Sequence, residues 1–367
     1  MITNKNKSQE NIYFMKLALG QAKINLGNTK DNPAVGCIIV KNDHVISSGF
    51  TSIKGRPHAE QNAINFSKTN LKNSELYVTL EPCSHYGKTP PCVTSIIKSK
   101  IKKVIFSIKD PDPRSFDKCT KKLKKKGIIV INGILKDKIK SFYRSYFKSK
   151  KNKLPFVTSK LAISKDFYTI NKKNKWITNE FSRGRVHLMR ASHDCIMTSS
   201  STIIKDNPQL TCRIDGLVNR SPARIILDNK LKVKINSKVI KEARNHRTII
   251  FYNKINKRKI KLLKRLKIRI YKIHTDIEDN LDIKKSLIKA QSLGFSRIFL
   301  ESGIKLTSNF LNKKLVDDLK LFISSKYLKK NGSGSIRNYF GSVLKNKKKI
   351  TEKVNLSGEK LISYKLK

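Results

Sequence analysis

One imidazole and two thiols, each directly preceded by proline, constrain this chain more than any other feature. They lie in Pro57-His58-Ala59-Glu60 and in Glu81-Pro82-Cys83-Ser84-His85-Tyr86-Gly87-Lys88-Thr89-Pro90-Pro91-Cys92. The first stretch opens a predicted helix, and the second follows a predicted strand. A fold that uses them must therefore bring a helix start and a strand end together. Zn²⁺ prefers nitrogen and sulfur donors, and three protein donors leave a fourth position for water. Water bound there ionises near neutral pH and becomes a nucleophile. A carboxylate beside the metal, here Glu60, can carry protons, and a helix N-terminus favours the thiolate. His58, Cys83 and Cys92 are thus the candidate metal ligands and Glu60 the candidate catalytic group. On residue type alone His85, inside the same loop, is a further potential ligand. Cys37 sits in an apolar run and reads as core; Cys119, Cys195 and Cys212 have no metal-like partners and read as structural.

The surrounding pattern alternates strand and helix. Helical spacing runs over 12–24, and apolar runs at 34–40 and 45–50 flank the turn-like Asn42-Asp43 as a hairpin. A helix over 58–66, strands over 75–80 and 104–108, a helix over 117–126 stopped at Gly127 and a strand over 128–131 follow. This succession predicts an α/β domain over 1–147. The charged stretch 148–153 (KSKKNK) reads as a linker. A second alternating pattern occupies 154–367, with strands over 156–163, 195–198, 224–228, 248–252, 268–273 and 297–300. Its helices cover 179–191, 283–293 and 306–311. From Asn331 onward the lysine-rich tail shows no clear pattern.

Charge enters the argument because it is extreme: 80 Lys and Arg against 26 Asp and Glu give a net +54. Such charge attracts nucleic acid. However, 64 of the basic residues are Lys and only 16 Arg, spread along the whole chain. Nucleic-acid surfaces favour the Arg fork, so compositional bias explains the excess better. There is no run of about 18 apolar residues for a membrane span, and Met1–Glu10 is too polar for a signal peptide. Six cysteines in a chain of this length do not make a disulfide scaffold. The expected compartment is the cytoplasm.

The His-x-Glu and Pro-Cys pattern follows the signature of zinc deaminases, but eight residues separate the cysteines where two are usual. Together with Asn32-Pro33-Ala34-Val35-Gly36-Cys37 and the strand Val78-Thr79-Leu80 before the cysteines, it resembles the deaminase domain of the bifunctional riboflavin-biosynthesis deaminase/reductases, whose long loop is of this kind. The resemblance implies a cytidine-deaminase-like α/β/α domain. It implies Zn²⁺ at His58, Cys83 and Cys92, Glu60 as proton shuttle, and His85 off the metal. The reaction it implies is hydrolytic removal of the 2-amino group of 2,5-diamino-6-(5-phosphoribosylamino)pyrimidin-4-one. Asn32 is similar to the Asn that holds the pyrimidine in related deaminases; on its own it reads equally as a turn residue before Pro33.

The second half is similar to that family's dihydrofolate-reductase-like domain, in Ser159–Asp166, Trp176-Ile177-Thr178, His187–Arg190, Thr198–Arg213 and Leu300-Glu301-Ser302-Gly303. The resemblance implies NADPH contacts at Ala162, Trp176, Thr202, Asp206 and Gly303. It implies contacts to a phosphorylated pyrimidine substrate at Arg190, Leu210, Arg213 and Glu301, with Arg190 and Arg213 as a phosphate clamp. The activity implied is reduction of the substrate's ribosyl group to ribityl, by an enzyme that associates into homo-oligomers. Four departures stand out: Phe167 replaces the Gly after Asp166, Asn174 and Asn229 replace serines, and Arg114–Cys119 replaces a Gly-containing loop. They raise one alternative, a monofunctional deaminase with a scaffold-only second domain; the +54 charge with His58-Ala59-Glu60 raises another, a nucleic-acid base deaminase.

Overall fold

The computed structural model describes residues 4–115 and 117–367. The chain divides into two units, 1–153 and 154–367. In the first, α1 (Asn4–Ile24) precedes the hairpin β1 (Gly36–Lys41) and β2 (His44–Phe50). Then follow α2 (Ala59–Phe66), β3 (Glu75–Leu80), α3 (Cys92–Lys98), β4 (Lys103–Ile108), α4 (Lys118–Lys124), β5 (Ile129–Asn132), α5 (Lys136–Phe142) and α6 (Arg144–Asn152). The sheet runs β2-β1-β3-β4-β5. β1 is antiparallel to both neighbours, while β3, β4 and β5 are parallel. β3 and β4 are buried almost throughout, as strands covered on both faces must be.

Cys37 is paired with Gly49, so the two share a face of the sheet, and Gly36 faces the other side. A Cβ on Gly49 would stand 2.3 Å from the Ala59 carbonyl oxygen, and one on Gly36 2.0 Å from that of Ala18. Helices α2 and α1 therefore lie on opposite faces at a distance only glycine allows, which makes an α/β/α sandwich. The close seat of α2 fixes where His58 and Glu60 stand.

The second unit contains β6 (Phe156–Ile163), β7 (Tyr168–Asn171), α7 (Glu180–Ala191), β8 (Cys195–Ser199), α8 (Ser200–Asp206), β9 (Ala223–Leu227), α9 (Lys238–Lys241), β10 (Thr248–Tyr252), α10 (Lys257–Arg265), β11 (Arg269–Lys272), α11 (Ile283–Ser292), β12 (Arg297–Glu301), α12 (Ile304–Asn312), β13 (Asp318–Ile323), β14 (Gly332–Ser335), α13 (Arg337–Leu344), β15 (Lys348–Thr351) and β16 (Lys360–Lys365). Nine strands form one sheet, β11-β10-β9-β8-β12-β6-β13-β16-β15. It is parallel from β11 to β13. β16 and β15 are antiparallel. Alternate side chains feed two cores: Met197, Ile225 and Leu300 on one face, Ile196, Ile226 and Phe299 on the other. Helix starts are satisfied locally; the Asn179 and Asp282 side chains accept from the Ser182 and Lys285 amides.

Two expectations are corrected. Residues 148–152 are not a linker but the end of α6, and Lys153 follows in a left-handed conformation. The tail is not patternless. Leu361 and Ile362 of β16 are buried against β13, so a single apolar pair among lysines suffices for a strand held between β13 and the edge strand β15.

Candidate active sites

In the first unit three loops converge. His58 stands just before α2, Cys83 just after β3, and Cys92 opens α3. His58 Nδ1 lies 3.6 Å from Cys83 Sγ and 3.4 Å from Cys92 Sγ, and all three ligand atoms fall within 4.8 Å of one another. Zn–S and Zn–N bonds of ordinary length at a tetrahedral angle place their donors about 3.5 Å apart. The three atoms therefore frame one face of a Zn²⁺ tetrahedron and leave the opposite vertex open. The donor chemistry agrees: hydrogen bonds from the Cys92 thiol and His58 hold Cys83 down to about 4, in the thiolate range. The Cys92 amide also donates to Cys83 Sγ over 3.3 Å.

Glu60 lies in the first turn of α2 and is 3 % exposed. Burial pushes its carboxyl up to about 7, against the opposing pull of His58. His85 turns away from the cluster and hydrogen-bonds Ser115 Oγ through Nδ1 at 2.9 Å. Asn32 packs over Gly55, in the loop that leads to His58. Glu81, buried beside the cysteines, accepts from the Asp110 and Asp117 amides and so ties β3 to the 109–117 loop. In that loop Asp117 has φ +59, a conformation Asp tolerates, and Phe116 lies outside the described residues.

In the second unit charge gathers toward the carboxyl ends of the central strands. Glu301 closes β12 and pairs in register with Lys160 of β6. Arg190, from α7, grips Glu301 with two bonds, Nε to Oε1 at 2.6 Å and Nη2 to Oε2 at 3.0 Å, and its Nη1 donates to the Thr211 carbonyl at 2.8 Å. Arg190 outweighs burial and holds Glu301 below the usual carboxylate range, while burial pulls Lys160 down. His187 Nδ1 accepts from the Arg213 amide at 3.1 Å. Burial and the two arginines push His187 down to about 4, so it is neutral at pH 7.

Residues 8–108 match the model of the cytidine and deoxycytidylate deaminase zinc-binding region, and residues 155–357 match the RibD C-terminal domain. The riboflavin biosynthesis protein RibD of Aquifex aeolicus is 33% identical over 357 residues, spanning 96% of this chain and 97% of that one. The Bacillus amyloliquefaciens protein of the same name is 34% identical over 314 residues, 85% and 84% of the two chains. The chain belongs to the bifunctional riboflavin-biosynthesis deaminase/reductase family. The structure of the Thermotoga maritima deaminase/reductase superposes with a TM-score of 0.83 at 32% identity, covering 98% of this chain and 99% of that one. That of Acinetobacter baumannii RibD gives 0.84 at 28% identity, with the same coverage. The zinc deaminase and dihydrofolate-reductase-like NADPH domains expected from the sequence are the two domains of this family.

Against this family frame, the reductase residues fall into two groups. Arg190, Glu301 and Arg213 cluster around His187, and Leu210, buried with φ +58, shapes the turn beside them. The expected Arg190–Arg213 phosphate clamp does not form as such. Glu301 and Thr211 occupy the Arg190 fork, which leaves Arg213 as the exposed cation. Around the cofactor positions, Thr202 donates its amide to Ser199 Oγ at the start of α8, with exposed Asp206 at its other end. Gly303 is extended at the start of α12, with open space where a Cβ would stand. That bare helix N-terminus fits a cofactor phosphate. Ala162 lies on β6, and Trp176 is 55 % exposed beneath the Arg183 guanidinium. The sequence resemblance placed a Lys and an Asp of the 159–166 stretch near the reactive carbon; it gave no role to His187 or Glu81. Glu301 ends β12, at the edge where parallel α/β sheets place their sites, and Lys160 stands beside it in register on β6.

Among the described residues no helix is long and apolar enough to cross a membrane.

Proposed function

We propose that this chain carries out both family reactions, hydrolytic deamination of 2,5-diamino-6-(5-phosphoribosylamino)pyrimidin-4-one and then reduction of the ribosyl group of 5-amino-6-(5-phosphoribosylamino)uracil. The observation that carries the reading is the His58–Cys83–Cys92 cluster with Glu60 buried beside it. His58, Cys83 and Cys92 would hold Zn²⁺, which when bound supplies Lewis acidity and a water of lowered pKa. Glu60 takes the proton of the attacking water and returns it to the departing amine. A carboxyl near 7 suits a group that must accept and release a proton in one cycle. Asn32, held against the loop before His58, orients the pyrimidine.

In the second unit Gly303, Thr202, Asp206, Ala162 and Trp176 would contact NADPH, which supplies hydride. The ring oxygen of the ribose must gain a proton as C1′ gains hydride. Lys160, lowered by burial and steadied by Glu301, suits that donation. Arg190 keeps Glu301 ionised, and Arg213 faces the substrate phosphate. The Lys160–Glu301–Arg190 set supports a working reductase over a scaffold-only domain. We further propose a cytoplasmic location, supported by six free thiols, and self-association.

The test is a coupled assay on zinc-loaded protein that follows ammonia and NADPH absorbance together. Ammonia release abolished by Glu60→Ala, with NADPH consumed by the wild type, supports both activities. Ammonia without NADPH consumption refutes the reductase assignment. No ammonia from folded, zinc-loaded wild type refutes the substrate.

A further inference from the structure

The amino-terminal edge of the large sheet carries a feature that neither site uses. Arg247 immediately precedes β10 and Arg269 opens β11, while Arg244 and Lys267 stand in the turns before those strands. β10 and β11 are parallel neighbours, so both turns leave the sheet at one edge. With Ala243 these residues line an open groove of about 750 Å³. Glu301 lies at the opposite, carboxyl, end of its strand, with Lys160 beside it in register.

Four cations and no carboxylate line this groove. In so basic a chain that alone says little, but residue type says more. Arg makes up only 16 of the 80 basic residues, yet three of the four here are Arg. Among the described residues Arg244, Lys267 and Arg269 have no acidic partner. Glu242, two residues from Arg244, is taken up by Arg224 at 3.3 Å and by Gln209 at 2.8 Å. Arg247 is held in place by the Leu293 carbonyl and the Phe295 ring. Burial, with Arg269 beside it, draws Arg247 below the usual guanidinium range.

The wall of the groove is rigid. Arg224, 0 % exposed, donates to the carbonyls of Val239 and His246 and to Thr248 Oγ1, which clamps 239–248 in place. Arg244 and Arg247 therefore stand on a clamped backbone segment beside Lys267 and Arg269, and among the described residues no carboxylate pairs with Arg244, Lys267 or Arg269. Guanidinium forks match phosphate oxygens in pairs. Several cations in one groove match several phosphates, and no aromatic side chain lines it for a base to stack on.

We propose that this groove binds a compact oligophosphate, a chain of two or three phosphates, through Arg244, Arg247 and Arg269. The source is a free oligophosphate or the phosphate tail of a small molecule.

The test is calorimetric titration of the full chain at physiological ionic strength with tripolyphosphate, orthophosphate, ATP and a single-stranded RNA oligomer. Tripolyphosphate should bind one to one and at least about tenfold more tightly than orthophosphate. Arg244→Gln and Arg269→Gln should each weaken it about fivefold or more, since charge-assisted bonds are lost. Arg247→Lys keeps the charge and removes the fork; it should also weaken binding, with Tm unchanged as the folding control. Lys121→Gln/Lys124→Gln/Lys125→Gln, exposed in the first unit, removes three charges and should leave affinity unchanged. ATP binding as tightly as tripolyphosphate assigns the source to a phosphate tail, and exclusion of ATP assigns it to the free anion. Equal weakening by the lysine variant, or arginine-dependent binding of RNA in preference to tripolyphosphate, overturns the proposal.

Discussion

Glu60 sits where the chain makes ionisation costly, and that is what suits it to move protons. Glu60→Gln keeps the shape and hydrogen-bonding reach but cannot take a proton. Deamination should fall about 10³-fold, while zinc content, measured by metal analysis, stays at the wild-type value. Phe167 poses a different single-residue problem. It occupies φ +74, where the family's glycine would be unstrained. A left-handed L-residue costs about 1–2 kcal/mol, but the Arg337 guanidinium lies 5.0 Å from the ring centroid. Such a contact returns about 0.5–1 kcal/mol at an exposed site, and glycine would add chain entropy to the unfolded state. Phe167→Gly should therefore change stability by less than about 1 kcal/mol. In an Arg337→Ala background the same substitution should become more favourable. Denaturant melts of the four proteins in this cycle measure the coupling, and zero coupling would show that the ring contact contributes nothing.

At the scale of elements, α7 is pinned to the sheet by the residue just beyond its end. His193 is 4 % exposed; its Nδ1 lies 2.6 Å from the Met189 carbonyl and its Nε2 3.0 Å from Thr158 Oγ1 on β6. Burial holds this imidazole down to about 3. The unfolded chain takes up a proton near 6.5 and the folded chain only near 3, so folding stability falls as pH drops between them. By pH 5 the loss is about 2 kcal/mol. His193→Gln should flatten that part of the stability–pH curve, checked by urea melts at pH 7 and pH 5. The elements also show what was legible in advance. The hairpin, β3, β4, β6, β10 and α7 stood out because these strands carry runs of apolar residues and α7 an Asn179 cap. Helices α5 and α6 and strands β15 and β16 did not, since a compositional excess of lysine fills their exposed faces and erases the contrast that periodicity needs. His58, Glu60, Cys83 and Cys92 were readable because the chemistry requires rare residue types close together. Lys160, one lysine among 64, was distinguished only by the resemblance of the stretch around it, not by residue type or spacing.

At the scale of the whole molecule, each unit has its own hydrophobic core, so the two chemistries should be separable by metal. Removing Zn²⁺ with a chelator should abolish ammonia release and lower the melting temperature of the first unit. NADPH oxidation with the deaminated intermediate should continue. Scanning calorimetry with parallel assays reads both, and simultaneous loss of the two activities would contradict independent cores. The second unit also has a consequence for how the protein is made. β6 is its first strand, yet its neighbours in the sheet are β12 and β13, which leave the ribosome about 140 and 160 residues later; at about 5–20 residues per second that is roughly seven to thirty seconds. During that interval an apolar strand destined for the middle of the sheet has both edges unsatisfied. Until β12 and β13 emerge, nothing in the sheet shields that strand from pairing with another polypeptide.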